Sequence, residues 1–562
     1  MTTNTYALGL DFGTQSVRAL VADTGTGEEV GVGVAAYPSG TDGTLLDPER
    51  PNLARQHPGD YLRGLTESVR DALGEAAANE ETFAPARVVG IGVDTTGSTP
   101  IPVDETGRPL ALRDGFDEAF SDPLAAQAWL WKDHTAHAEA EEITALAEER
   151  RPEYLAKCGG TYSSEWFWSK LLHCARTAPG VFEAAHTWVE HADWMPAVLT
   201  GAEHPDRLKR SICAAGHKAM FSDEWGGYPD ADFLETLDER LAQVRRTLPD
   251  EAHDSSTPAG TLTPEWAERL GLPEAIPVAV GAFDAHLGAV GAGIQPGTLV
   301  KIIGTSTCDL MVTPTERDLP DIPGLCGIVP GSVLPGHYGL EAGQSAVGDI
   351  FNWFTELAGS DDFSHEALTA EAEQLQPGES GLLALDWHNG NRTVLVDQRL
   401  TGGVIGMTLR TTPAELYRAL IEATAFGARV IMERYEEYGV EAERIVNCGG
   451  IAAKNELVMQ IYADVMGRPI RLSQSDQTPA LGAAMSGAVA AGAGDGGHAT
   501  FDDATAAMTG VQDTVFDPTA KHQQVYDRLF GLYRRLHDAF GVEGQSDDLA
   551  DVMKTLLEIR DA

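Results

Sequence analysis

The 562-residue sequence predicts an α/β protein built from two domains of related architecture. Three observations carry this. Two hairpin-like segments share one plan, one opening the chain and one beginning at Thr298; continuous apolar runs mark buried central strands; and helical periodicity alternates with both.

The first hairpin, residues 6–23, reads YALGLDFGTQSVRALVAD: two apolar, β-prone runs joined by a tight Gly-Thr turn. The second, residues 298–313, reads TLVKIIGTSTCDLMVT and repeats the pattern, as a duplication would. Residues 88–94 (VVGIGVD) and 276–282 (IPVAVGA) are expected as buried strands, and residues 61–73, 138–146 and 411–438 as helices. The small-residue stretch 287–297 offers little to pin a packed interface and is expected to be a domain boundary and hinge. The expected units are an N-terminal domain 1–286, a C-terminal domain 287–500 and a helical appendage 501–562.

A composition of 43% hydrophobic and 22% charged residues is that of a soluble globular protein. The N-terminus lacks the basic region and apolar core of a signal peptide, and the run 480–494 is too small-sided for a membrane span. A cytoplasmic protein is expected. Six scattered cysteines form no CxxC pair and read as reduced thiols. The 85 acidic against 40 basic residues give a net charge of −45, which repels nucleic acid and anionic lipid. Such a charge opposes compaction unless salt screens it, which points to a salt-rich cytoplasm.

Within the first hairpin, DFGTQS supplies a glycine for close backbone approach, hydroxyls for phosphate oxygens and a carboxylate suited to Mg2+, followed by Arg18. A plain hairpin turn explains the same letters. There is no Gly-Lys dipeptide, so no Walker A loop, and no protein-kinase catalytic loop accompanies the DFG. IGTSTC in the second hairpin offers a matching loop, and two such loops across a cleft would clamp a polyphosphate. GAFDAH ends an apolar strand with Asp284, either a helix cap or the base that accepts a hydroxyl proton in phosphoryl transfer. NCGGIAAKN places Gly449 and Gly450 after an apolar strand, where a flat ring would fit; an ordinary loop reads the same way. His134 and His137, spaced i, i+3 without a third ligand, read as polar rather than metal-binding.

Taken together, DFGTQS, GAFDAH, IGTSTC, TGGVIGMTLRTTPAELYRALIEATAF and NCGGIAAKN resemble, in order and spacing, the FGGY carbohydrate kinases, over roughly residues 6–494. The resemblance implies two actin-like, ribonuclease-H-type ATPase domains closing on ATP and sugar. It implies that Asp11 helps hold Mg2+ and that Gly13, Thr14, Ser16 and Arg18 line the phosphates from one side, with Gly304, Thr305 and Ser306 on the other. Gly449, Gly450 and Asn455 would lie along the adenosine. Asp284 would be the catalytic base and a second group near the metal.

WKDHTAHAEA, CAAGHKAMF, EAGQSAVGDIFNWF and LDWHNGNRTVLVDQRLTGG are similar to the ribulokinase branch rather than to glycerol kinases or xylulokinases. That implies ATP-dependent phosphorylation of ribulose, L-ribulose in an L-arabinose-type catabolism, with Gly97, Ser98, Lys218, Asp284 and Glu341 at the sugar. Gly97 stands where another small residue such as alanine is expected in related kinases, and a pocket short of one methyl can admit a differently oriented ketose. A homodimer is compatible with the sequence. The rival functions are a kinase for xylulose, another ketopentose or a polyol, and a non-catalytic actin-like ATP-binding switch or chaperone.

Overall fold

The computed structural model describes residues 4–359 and 363–561. Two seven-stranded sheets organise it. The first contains β1 (Tyr6–Phe12), β2 (Ser16–Asp23), β3 (Glu29–Ala36), β4 (Val88–Thr95), β5 (Pro258–Thr261), β6 (Pro277–Ala279) and β7 (Ala282–Phe283). The second contains β8 (Thr298–Ile303), β9 (Thr307–Pro314), β10 (Gly327–Pro330), β11 (His337–Ala342), β12 (Arg444–Cys448), β13 (Ile470–Ser473) and β14 (Val511–Phe516).

The predicted hairpins are the hearts of these sheets. β1 and β2 pair antiparallel, as do β8 and β9. In each sheet the hairpin continues into a third antiparallel strand (β3 or β11), while its first strand pairs parallel with a later one (β4 or β12). A further parallel strand follows on that side, β6 or β13. The shared order is that of two actin-like, ribonuclease-H-type domains, and it makes the sequence repeat a repeat of topology.

Seven helices matter here: α1 (Pro58–Asn79), α2 (Ile212–Lys218), α3 (Asp284–Gly291), α4 (Pro413–Glu437), α5 (Glu456–Met466), α6 (Thr478–Ala491) and α7 (Ala520–Gly541). In α1, Tyr61, Leu65, Val69, Ala72 and Ala76 recur at helical spacing and are buried in one core with Val17, Val21 and Val30. α4 starts with a capping box, Thr412 and Glu415, and its buried face joins Leu299, Ile303 and Met311 in the second core. Under the second hairpin, Lys301 and Asp309 are register partners and a fully buried ion pair, Nζ lying 2.7 and 2.6 Å from the two carboxylate oxygens.

Two expectations are corrected. The run 287–297 is not a loose hinge: most of its first half lies in α3, which packs against α6, and a Cβ on Gly482 would overlap the carbonyl of Leu287. Small residues bring these backbones together instead of leaving them unpinned. Nor is 501–562 an appendage. β14 pairs with β13 at the edge of the second sheet, and Tyr526, Phe530 and Tyr533 of α7 are buried in the second core. The run 480–494 also finds its reason here, because α6 lies on β1 and β4, where a side chain at Gly9 or Gly92 would overlap its backbone.

Candidate active site

Three carboxylates meet at the ends of parallel strands. Asp11 near the end of β1 is the register partner of Asp94 on β4, Asp94 is the partner of Ala282 on β7, and Asp284 follows β7 directly. Asp94 is fully buried, and neither of its oxygens has a hydrogen-bond partner among the described residues. Burial, then the neighbouring Asp11 and Asp284, raise its carboxyl well above the usual range. Burial raises Asp11 too, opposed by Arg18, whose guanidinium lies 3.3 Å away. Asp284, pushed up by burial and Asp11 to about 7, opens α3, and one of its oxygens accepts from the Ala285 amide at 2.6 Å. It is therefore both helix-terminal and at the centre of the cluster.

The loops after β1 and β8 are each closed by a glycine N–H, over three residues in the first and two in the second. Gly13 N–H donates to the Ser16 carbonyl at 3.0 Å, and Gly304 N–H to the Ser306 carbonyl at 2.9 Å. Thr14 accepts at its hydroxyl from the Trp131 indole at 3.0 Å, leaving the O–H free to donate. Thr305 is exposed at the tip of the second loop. Gly449, at φ 95°, lies against this loop's root, where a Cβ would come within 2.5 Å of the Ile303 carbonyl. Only glycine suits that backbone and that approach. Gly450 beside it is exposed, with nothing within 4 Å of a built Cβ.

On the other side of Asp284, Lys218 at the end of α2 places its ammonium 3.2 Å from both oxygens of Glu341 on β11. This buried pair joins a segment preceding the first sheet's last strands to the second sheet. Burial pushes Glu341 up, but the Lys218 ammonium and the Arg392 guanidinium more than offset it, so the carboxylate stays ionised far below the usual range. Arg392 Nη2 is 3.2 Å from Glu341 and 3.3 Å from Cys308 Sγ, next to the second loop. His217 and His286 complete the wall, rings 4.5 Å apart, and burial lowers both so that they are neutral. Neither nitrogen of His286 has a partner among the described residues. The two imidazoles and Glu341 have the spacing of a three-ligand metal site. Two cations already occupy the Glu341 oxygens, however, and a metal there would face them.

Residues 6–291 match the FGGY family of carbohydrate kinases, N-terminal domain, and residues 299–491 match its C-terminal domain. The chain belongs to the FGGY family of carbohydrate kinases. It is similar to a ribulokinase of Shouchella clausii (strain KSM-K16), 43% identical across 99% of this chain and 98% of the relative. A ribulokinase of Mycolicibacterium smegmatis is 42% identical across 95% and 94%. Among solved structures, the xylulose kinase of Rhodospirillum rubrum matches with a TM-score of 0.76 at 25% identity, over 95% of this chain and 98% of that one. Glycerol kinase of Plasmodium falciparum with ADP shares the fold, with a TM-score of 0.75 at 16% identity, over 96% and 99%.

In this FGGY kinase two expected contacts are spent elsewhere. Asn455 caps α5, accepting from Val458 N–H at 3.1 Å while its amide donates to Thr369 at 3.1 Å, so its side chain is not free for adenosine. Ser98 is fully buried and its hydroxyl is bonded to Glu190; it anchors the loop rather than meeting a sugar. Gly97 needs correction too: the room left by the absent methyl is filled by the ring of Phe283. Four residues escaped the sequence reading. His217 and His286 adjoin chosen residues in CAAGHKAMF and GAFDAH, and Asp94 ends a quoted strand as Asp11 and Asp284 end theirs. Arg392 sits in an irregular loop, and no spacing announces it.

Proposed function

We propose that this FGGY kinase transfers the γ-phosphoryl group of ATP to O5 of ribulose, releasing ADP and ribulose 5-phosphate. The observation that carries the reading is the position of Asp284, between a carboxylate cluster bordered by a hydroxyl-bearing phosphate loop and a buried Lys218–Glu341 pair suited to a polyol. The ribulokinase relatives support ribulose as the ketose.

A hard divalent cation fits the first half of this arrangement. Asp94 presents two buried oxygens without partners beside Asp11, an oxygen-rich set of the kind Mg2+ takes. Asp11 and Asp284, with Asp94 behind them, would hold it, and when bound it would offset phosphate charge. Thr14, Ser16 and Arg18 donate to phosphate oxygens from one hairpin, and Thr305 and Ser306 from the other, while Gly13 and Gly304, whose N–H groups close the loops, let the backbone come close to the phosphates. The backbone at Gly449 and Gly450 leaves an open bed for the adenosine.

On the sugar side, Lys218 and Arg392 donate to oxygens, Glu341 accepts from hydroxyls, and His286 has both ring nitrogens available. Asp284 accepts the O5 proton as the bond from O5 to phosphorus forms and the bond to the ADP oxygen breaks. A base so placed contributes about 10² to 10⁴ in rate. No helix among the described residues is long and apolar enough to cross a membrane. The working environment we propose is a salt-rich cytoplasm.

Phosphorus NMR of the product formed from ribulose and ATP tests the reading. A phosphate on C5 is expected; a 1-phosphate, or ATP hydrolysis indifferent to sugar, overturns it.

A further inference from the structure

The loop after β4 is fixed from beneath. Thr99 N–H donates to Glu190 at 2.8 Å, and the Ser98 carbonyl accepts from the buried Lys170 ammonium at 2.9 Å. Gly97 therefore has no room to retreat. On its open side lies Phe283, whose ring a Cβ at position 97 would overlap at Cδ1, Cε1 and Cζ. Phe283 is itself held: it is 3% exposed, it pairs with Thr95 of β4, and Asp284 follows it in the chain. The ring is buried in a cluster with Cys213, Ala214 and Leu287, and two further neighbours belong to the sugar side. The Lys218 ammonium is 5.9 Å from its centroid, and the His286 ring meets it edge-on with centroids 5.9 Å apart.

A shift of the ring off Gly97 would therefore disturb the ground beside Lys218 and His286. We propose that Gly97 and Phe283 act as one specificity element: the aromatic ring occupies the volume a side chain at 97 would take and serves as the apolar wall for the C–H face of the ketose. The inference rests on the reading of the Lys218–Glu341 side as the sugar site, and deepens it. Pockets for polar ligands combine a few convergent hydrogen-bonding groups with an apolar wall that sets orientation. Here the wall is one residue from the base, so a shift of the ring changes which hydroxyl Asp284 reaches. The pair also has a direction: a methyl at 97 is tolerated only with a smaller residue at 283.

A double-mutant cycle tests this in the full chain, with Gly97→Ala, Phe283→Val and the two combined, each assayed with L- and D-ribulose and with xylulose. Gly97→Ala is expected to raise the KM for ribulose by roughly 10- to 200-fold, the range for one methylene in a tight pocket, with the KM for ATP unchanged. Phe283→Val is expected to narrow the preference among the ketoses. The combination should recover most of the Gly97→Ala loss, because residues in contact do not act additively. If Gly97→Ala alone fails to fold, recovery of a cooperative melting transition in the double variant reads the packing half of the coupling, and its kinetics against Phe283→Val read the other half. Multiplicative effects, or equal changes in the KM for ATP and for ribulose, overturn the pairing while leaving the proposed reaction intact. A parent protein inactive on ribulose overturns the reaction, and the sugar-wall role with it.

Discussion

Asp284 carries opposing demands at the scale of one residue. Its folded pKa, about 7, lies above the ordinary 3.8, so the folded state binds the proton more tightly than the unfolded chain. The associated stability is present at pH below about 4 and is lost as pH rises through about 7. Asp284→Asn is therefore expected to stabilise the fold above pH 7 by on the order of a few kcal/mol, seen as a higher melting temperature, while removing most turnover and leaving ATP binding in place. Thermal melts at pH 5 and pH 8 check the sign; a variant destabilised at both would contradict it. As the base must be ionised, kcat/KM for the parent should fall as pH drops through about 7. Lys218→Ala is expected to raise the KM for ribulose with little effect on that for ATP, read by steady-state kinetics, because among the described residues its ammonium bonds to both oxygens of Glu341, on the proposed sugar side. Residue chemistry was legible where an acidic residue or glycine closed an apolar strand, as at Asp11, Asp284 and Gly449. It was silent on Arg392, because the loop that brings it to Glu341 has no periodicity to read.

At the scale of elements, the two hairpins were legible because paired apolar, β-prone runs and a Gly-Thr turn specify them locally. The Lys301–Asp309 pair beneath the second hairpin belongs to this scale. Removing one partner leaves a buried charge, so Lys301→Met is expected to cost about 3–5 kcal/mol in denaturant melts, whereas replacing both partners by apolar residues should cost far less. Equal losses in single and double variants would show that the charges themselves are needed. The α3–α6 crossing was misread because small residues carry the same letters in a hinge and in a tight helix contact. Only the partner backbone tells them apart: Leu287 against Gly482, and Gly9 and Gly92 against α6. The C-terminal strand β14 was missed for a similar reason. Its burial alternates weakly at a sheet edge, and its partner β13 lies 38 residues earlier in the chain.

At the scale of the whole molecule, two sheets of one topology hold the chemistry. Asp11, Asp94 and Asp284 come from the first sheet, Glu341 from the second, and Lys218 bridges to it. Its net charge of −45 acts at this scale as well. Raising ionic strength from about 0.1 M to about 1 M shortens the Debye length from about 10 to about 3 Å, so the melting temperature is expected to rise over that range. A melting temperature indifferent to salt would contradict a surface suited to a salt-rich cytoplasm. The central claim, base-assisted phosphoryl transfer to ribulose, is tested most directly by coupled ADP release from the parent and Asp284→Asn side by side, over ribulose, xylulose, ribitol and glycerol at high and low salt. The account predicts sugar-dependent release that is fastest with ribulose and lost in the variant; release independent of sugar, or near-normal turnover by Asp284→Asn, would contradict it.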